Sequence, residues 1–498
     1  MVRPMNDSQL RIAESCGLDP GRNCWRIERA DKARLIVDAA DYFATVRQAM
    51  MSAEKRIMLI GWDFDARVRV GPRRNPTGAP STIGRFVLWL NHHRPDLQVY
   101  LLRWDFGAFK AMFRGTTPIT VARWALHRRI HVKLDAAHPF GASHHQKIVV
   151  IDDCLAFCGG IDITSGRWDT REHRDEDPRR VKPHGNPTNP WHDAIMALSG
   201  PVARALGELA RERWRCAGGE ELSPIDRKAD LWPRDLEPHF EDVDVAIART
   251  RPTWGDSEEV HEIEELYLDM IARARRYVYI EGQYFASGLI AEAITRRLAE
   301  ADGPEFVVVS PEQAHGWLEQ VAMDTARSRL FEAVKQYDRH NRFRVYMPCT
   351  RLGVPIYVHA KIMVVDDQML RVGSSNLNNR SMRLDTECDV VLDATQPQNA
   401  GIANTIRAIR DDLAAEHLDV TPEEFARTFD ETGSLIEAVE RLRGKGRTLK
   451  PYVPPALTTL GTFLAERQLL DPDGPEQTFE PFTRRNLFRR LRRPPPAG

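Results

Sequence analysis

The apolar positions of the chain fall into short β-branched runs set between longer stretches of helical period. Tyr42–Ser52 reads as a helix before a strand at Arg56–Ile60, and a second strand is expected at Val99–Leu102. Val202–Trp214 again has helical period. The order then returns: helix Val260–Arg276, strand Tyr277–Ile280, helix Ser287–Glu300, strand Phe306–Val309, helix Gly316–Tyr337 and strand Arg344–Tyr346. Such alternation predicts an α/β fold, with helices layered on a central sheet. Between the two series lies a polar, Pro-containing linker at 221–240. Residues 167–193 are a long polar run rich in Arg, Asp, Pro and His. A connection of that length inside a compact fold is usually functional, so a site rim is expected there. From about 400 to 447 the pattern is helical and outside the recurrence, and 448–483 is Pro-rich and expected to be irregular.

One string occurs twice. His145-Gln146-Lys147 runs into Ile148-Val149-Val150-Ile151 and then Asp152; His359-Ala360-Lys361 runs into Ile362-Met363-Val364-Val365 and then Asp366. Both read H-x-K-x-x-x-x-D. The match extends downstream at a constant offset, pairing Asp153 with Asp367, Gly159 with Gly373, Gly160 with Ser374 and Asp162 with Asn376. A lone H-x-K is a weak signal, but a duplicate with matched flanks is not. Each apolar run reads as a buried strand, the Asp pair as a turn, and Cys154–Cys158 or Met369–Val372 as the return strand. Alternation along a strand puts each His and its Lys on one face. Asp152 and Asp366, at odd parity and at the turn, are expected to hold the hairpin rather than touch substrate.

The chemistry of the repeat is that of a phosphate ester. Its anionic oxygens repel nucleophiles, and two ammonium groups neutralise that charge. One neutral imidazole attacks phosphorus; the other, protonated, gives its proton to the leaving alcohol. Each imidazole then needs an acidic partner on its second nitrogen. Asp193 and Glu387, each downstream of one motif, are the candidates.

With these motifs the chain resembles the phospholipase D superfamily, in the form that carries two H-K-D motifs in one polypeptide. Ile60-Gly61-Trp62-Asp63-Phe64, Gly159-Gly160-Ile161-Asp162, Gly166-Arg167-Trp168-Asp169-Thr170, Pro190-Trp191-His192-Asp193, Tyr279 to Phe285 and Gly373-Ser374-Ser375-Asn376 follow the family's order. Gly282 departs from it, standing where many members carry Asn. The resemblance implies two similar α/β halves related by a pseudo-twofold axis, with the site between them. It divides the chain into a lead-in at 1–30, a first half at 31–220, a linker at 221–240, a second half at 241–400 and a helical segment with a basic tail at 401–498. It implies that Glu387 supports His145 and Asp193 supports His359, with His145 as nucleophile and His359 as acid and base. Gly160, Ser374 and Asn376 are implied as substrate contacts. The implied activity is that of a phospholipase D, releasing phosphatidic acid and a head-group alcohol through a phosphohistidine. A cardiolipin synthase-like phosphatidyltransferase is the alternative; a nuclease and a non-catalytic lipid-binding scaffold rank lower.

Composition narrows the partners. The net charge of −1 over 498 residues gives no global basic field of the kind nucleic-acid binders show. The expected partner is a phospholipid at a peripheral membrane surface, with no nucleic acid, and the protein is expected to be a monomer. Seven cysteines without regular spacing argue against a disulfide framework; Cys154 and Cys158 read as packing. No cluster with metal-ligand spacing stands out, and no metal or cofactor is expected. The N-terminus, from Met1 to Asp7, lacks an apolar signal core, and no run is long and apolar enough to span a bilayer. A cytoplasmic protein associated peripherally with membranes is expected. Arg484 to Arg493, in which arginines surround Leu487, Phe488 and Leu491, reads as a basic amphipathic stretch suited to an anionic surface.

Overall fold

The computed structural model describes residues 17–72, 78–104, 120, 123–124, 126–313, 327–328, 330–444 and 446–453. The basic stretch at 484–493 and most of the Pro-rich run therefore lie outside the described residues, as does much of the helix expected at Gly316–Tyr337.

The first half contributes β1 (Arg26–Val37), helix α1 (Ala39–Met51), β2 (Arg56–Gly61), α2 (Ile83–His93), β3 (Gln98–Trp104), β4 (Ile130–Asp135), β5 (Ile148–Ile151), β6 (Leu155–Gly159), β7 (Trp191–His192), β8 (Ala194–Ser199) and α3 (Pro201–Cys216). The second contributes β9 (Phe240–Arg251), β10 (Val260–His261), α4 (Glu262–Arg273), β11 (Tyr277–Glu281), α5 (Gly288–Ala299), β12 (Glu305–Val309), β13 (Phe343–Cys349), β14 (Tyr357–Val358), β15 (Ile362–Val365), β16 (Met369–Gly373) and β17 (Glu387–Asp393). Helices α6 (Ala403–Leu418), α7 (Pro422–Thr432) and α8 (Leu435–Leu442) follow, then β18 (Thr448–Pro451).

One sheet runs through both halves in the order β18-β13-β12-β11-β15-β16-β17-β9-β1-β8-β6-β5-β2-β3-β4. Outward from the β1–β9 seam, β8, β6, β5, β2, β3 and β4 match β17, β16, β15, β11, β12 and β13, which is the expected pseudo-twofold relation. Three cores divide the interior. One, built from Leu35, Tyr100, Val245, Tyr277, Ile362 and their neighbours, is shared by both halves and closed by α3 and α6–α8. The other two lie under α1 and α2, and under α4 and α5.

The two hairpins follow the sequence pattern closely. Ile148–Ile151 and Ile362–Val365 are buried along their whole length, and Asp152-Asp153 and Asp366-Asp367 all have φ between 50 and 58°. Two successive positive-φ residues make a turn whose twist matches the strands, and Asp is among the few side chains that tolerate it. Each first aspartate also ties its hairpin to the neighbouring strand. Asp152 accepts the backbone N–H groups of Glu54, Lys55 and Arg56 at 2.8, 2.9 and 2.6 Å. Asp366 does the same for Arg275, Arg276 and Tyr277 at 2.5, 2.8 and 2.9 Å.

Several strands differ from the sequence reading. β1 begins inside the segment expected to be a lead-in, and β8, β9 and β17 have no counterpart among the expected strands. The helix expected from Val260 starts at Glu262, after a two-residue strand. Thr448–Pro451, expected to be irregular, pairs antiparallel with β13.

Asp152→Ala and Asp366→Ala each leave three backbone donors without their acceptor, and each is expected to lower unfolding free energy by about 2–4 kcal/mol. Urea denaturation checks this; a change below about 0.5 kcal/mol in both would show that the carboxylates do not hold the hairpins.

Candidate active site

Parallel strands β2, β3 and β4 end at the same edge of the sheet at which antiparallel β5 begins, since Ile60 pairs with Ile148. In the second half Glu281 pairs with Ile362 in the same way. Each H-x-K segment therefore emerges beside the carboxyl ends of the parallel strands. There the halves interlock through backbone. His145 N–H donates to Thr386 O at 2.9 Å and Thr386 N–H to Ser143 O at 2.9 Å; His359 N–H donates to His192 O at 2.7 Å and Tyr357 N–H to Pro190 O at 3.0 Å. β7 and β14 pair in parallel, Trp191 with Tyr357 and His192 with Val358.

This lacing brings each histidine to a carboxylate of the opposite half. His145 Nδ1 lies 3.1 Å from both Oε1 and Oε2 of Glu387 and 3.0 Å from Ser374 O. A backbone carbonyl only accepts, so Nδ1 carries the hydrogen and Nε2 keeps its lone pair. His359 Nδ1 is 2.7 Å from Asp193 Oδ2. Burial, followed by the ammonium groups of Lys147 and Lys361, holds His145 well below the ordinary imidazole range. Burial, followed by Lys361, Arg167, Lys147 and His145 itself, does the same to His359. Burial also pushes the Glu387 carboxyl up to about 8.

The lysines reach back along their strands. Lys147 Nζ donates to His145 O at 2.7 Å, and Lys361 Nζ donates to His359 O. Their surroundings then diverge. Lys147 Nζ sits 3.4 Å from Asp162 Oδ2, whereas Lys361 Nζ sits 3.3 Å from the neutral Gln283 Oε1, and the residue matching Asp162 is Asn376. Burial disfavours charge on both members of the Lys361–Asp193 pair, lowering the ammonium and raising the carboxyl. Aromatic rings flank each imidazole. Trp62 lies edge-on 6.4 Å from His145 and stacks on Trp104; Trp191 lies 5.2 Å from His359, stacked on Tyr357 at 4.5 Å, with the Arg167 guanidinium 3.9 Å above it.

The structure thus brings His145, Lys147, His359, Lys361, Asp193 and Glu387 together. Gly160 and Ser374, expected to contact substrate, each adjoin one of the two carboxylates. A Cβ at Gly160 would collide with Asp193 Oδ1, so the glycine lets that carboxylate reach His359. Ser374 Oγ, fully buried, donates to Glu387 Oε2 at 2.5 Å. Asn376 is buried, and its Oδ1 has no partner among the described residues. Ser381, Arg167 and Gln283 join the site without having been expected as site residues, though the last two lie in segments that follow the family's order. Ser381, on a π-helical turn at Arg380–Leu384, donates to Glu387 Oε1 at 2.7 Å; for Arg167 the signal was the Gly-Arg-Trp-Asp segment that contains it.

Behind the site lies a buried cluster that sequence spacing did not reveal, because four distant segments build it. His173 Nε2 is 3.5 Å from Asp38 Oδ2 and 3.2 Å from Glu416 Oε1, and His192 Nδ1 is 3.4 and 3.1 Å from the same two carboxylates. Asp169 and Glu281 take the other ring nitrogens at 3.0 and 2.7 Å. Burial opposes charge on His173, but Asp38 and its neighbours outweigh it and raise the group to about 9. With both imidazoles protonated the cluster is a closed ion network; deprotonated, the same four side chains could hold a cation.

Two family models match the chain, "Phospholipase D" over residues 49–291 and "Cardiolipin synthase, PLD-like domain" over 267–409. Among curated proteins, phospholipase D alpha 1 of Carica papaya is 24% identical over 80% of this chain, and phospholipase D A of Dictyostelium discoideum is 26% identical over 70%. The chain spans 66% of the length of the first and 32% of the second. Among solved structures, phosphatidylserine synthase of Haemophilus influenzae Rd KW20 shares the fold at a TM-score of 0.52 and 13% identity, covering 87% of this chain and 100% of that one.

The Glu387 carboxyl sits near 8 against an ordinary 4.5, so the native state holds a proton that the unfolded chain releases. Stability on this account is full below about 4.5 and declines as pH rises toward 8. Glu387→Gln is therefore expected to raise the melting temperature at about pH 8.5 relative to wild type, more than at about pH 5, while impairing turnover. Equal or lower melting temperatures on the alkaline side would contradict the electrostatic reading.

Proposed function

Since the chain belongs to the phospholipase D superfamily, with both of its motif-bearing domains in one polypeptide, we propose that it is a phospholipase D acting on glycerophospholipids at a membrane surface. The observation that carries this reading is the pair of crossed histidine–carboxylate contacts, His145 with Glu387 and His359 with Asp193, flanked by two lysines. Lys147 and Lys361 hold the phosphate oxygens, and the Asn376 side chain adds a donor. His145 Nε2, with its lone pair outward, attacks phosphorus. His359 takes up a proton as the anionic ester offsets the positive surroundings, and gives it to the leaving head-group oxygen. It then deprotonates water, which attacks the phosphohistidine and releases phosphatidic acid. Glu387 and Asp193 fix the two tautomers. Among the described residues no helix is long and apolar enough to cross a membrane, which fits attachment at the surface. Transfer to a lipid alcohol differs only in the last acceptor.

The test is incubation with labelled phosphatidylcholine, phosphatidylglycerol and single-stranded DNA, with and without ethanol. Phosphatidic acid is expected from a phospholipid, replaced partly by phosphatidylethanol when ethanol is present, and the DNA is expected to stay intact. His145→Ala and His359→Ala should each remove nearly all turnover, because nucleophile and acid act as one unit. A variant keeping more than about a tenth of the activity, a barrier change below about 1.4 kcal/mol, would rule out a single shared site.

A further inference from the structure

Asp38, His173, His192 and Glu416 come from four separated segments: the junction of β1 with α1, the rim loop, β7 and α6. All four are buried, at most 5% exposed. One nitrogen or oxygen of each lies within 4.8 Å of the donor atoms of the other three. The contacts around the two imidazoles are of two lengths. The outward nitrogens meet Asp169 and Glu281 at 3.0 and 2.7 Å, ordinary hydrogen-bond distances. The inward nitrogens, His173 Nε2 and His192 Nδ1, stand 3.5 and 3.4 Å from Asp38 and 3.2 and 3.1 Å from Glu416. A hydrogen bond from imidazolium to carboxylate closes to about 2.7–2.9 Å. Donors held about 2.0–2.1 Å from a tetrahedral zinc ion stand about 3.3 Å apart, and the inward distances fall on either side of that edge.

A second observation points the same way. Asp38 Oδ2 is buried, faces His173 Nε2 across that gap, and accepts no hydrogen bond among the described residues. The outer oxygens of the inner pair are engaged: Asp38 Oδ1 accepts Asp193 N–H at 3.0 Å, and Glu416 Oε2 accepts Arg171 Nε at 2.5 Å. Asp169 and Glu281 supply what metal-bound imidazoles require, since each can take the N–H of the outward nitrogen and leave the inward lone pair for an ion. Two imidazolium protons and one divalent cation carry the same charge, so a pocket that accommodates the first accommodates the second. We propose that Asp38, His173, His192 and Glu416 bind one divalent transition-metal ion of the zinc class, which ties the rim loop and α6 to the segment that carries Asp193. Binding displaces the two inward imidazole protons to water. The ion takes no part in the phosphoryl steps. It positions Asp193 from behind, through His192 beside it in the chain and through the bond from Asp193 N–H to Asp38. The site does not depend on the phospholipase reading.

The experiment titrates full-length, chelator-treated protein with Zn²⁺, following bound metal by equilibrium dialysis and stability by thermal melting. Wild type is expected to take up one zinc per chain that survives gel filtration, and to melt at a higher temperature as zinc is added. Asp38→Asn and His173→Gln are each expected to lower the affinity at least about tenfold and to lose the zinc-dependent rise. His145→Ala/His359→Ala is expected to bind zinc as wild type does, because the catalytic imidazoles are a separate pair. Absence of retained zinc from wild type would overturn the inference, as would wild-type affinity in both cluster variants. Loss of the zinc in the catalytic double variant would also overturn it, by placing the ion between His145 and His359. X-ray absorption at the zinc edge of the wild-type complex needs no variant to fold. It is expected to show a four-coordinate ion with two imidazole ligands, and any other imidazole count would refute the assignment.

Discussion

Each site histidine takes its carboxylate, and its own backbone acceptor, from the half that does not contain it. The hydrogen bonds from His145 N–H to Thr386 O and from His359 N–H to His192 O are the constraint on which the site depends. They fix the two halves against each other at the point where hydrogen-bond distances matter, because a shift of an ångström would take Nδ1 of either imidazole out of reach of its partner. The shared core serves this constraint. It joins the inward faces of both halves into one body, and β1 against β9 continues the sheet across the seam.

Given that lacing, the rest of the site follows from strand geometry. A lysine two residues after each histidine points the same way and reaches back to the histidine's carbonyl. Glycine at 160 and serine at 374 occupy matching places in the repeat yet act differently. The first makes room for Asp193, and the second donates to Glu387. The two carboxylates are therefore held differently. Asp193 accepts Ala194 N–H besides its histidine, while Glu387 accepts two serine hydroxyls.

Local features were legible in the sequence and long-range ones were not. The hairpins, their Asp-Asp turns and the structural part played by Asp152 and Asp366 follow from a short apolar run, parity and turn chemistry. The crossed carboxylates needed the family pattern, since nothing between 145 and 387 says that they meet. β1, β9 and β17 escaped because charged residues interrupt their apolar pattern, as in Arg26–Val37 and Phe240–Arg251; their hydrogen-bond partners, not their periodicity, make them strands. The buried cluster of Asp38, His173, His192 and Glu416 joins four segments, and no spacing rule applies to it.

A site with true twofold symmetry would accept a phosphodiester in either of two orientations, with each histidine as often nucleophile as acid. Asp162 beside Lys147, against Asn376 at the matching position of the second half, breaks that equivalence. Lys147 Nζ has a carboxylate 3.4 Å away, while Lys361 Nζ has the neutral Gln283 Oε1 at 3.3 Å, so the two lysines stand in unequal fields. Together with the unlike anchoring of Asp193 and Glu387, a carboxylate-to-amide difference thus leaves a duplicated scaffold with two unequal ends.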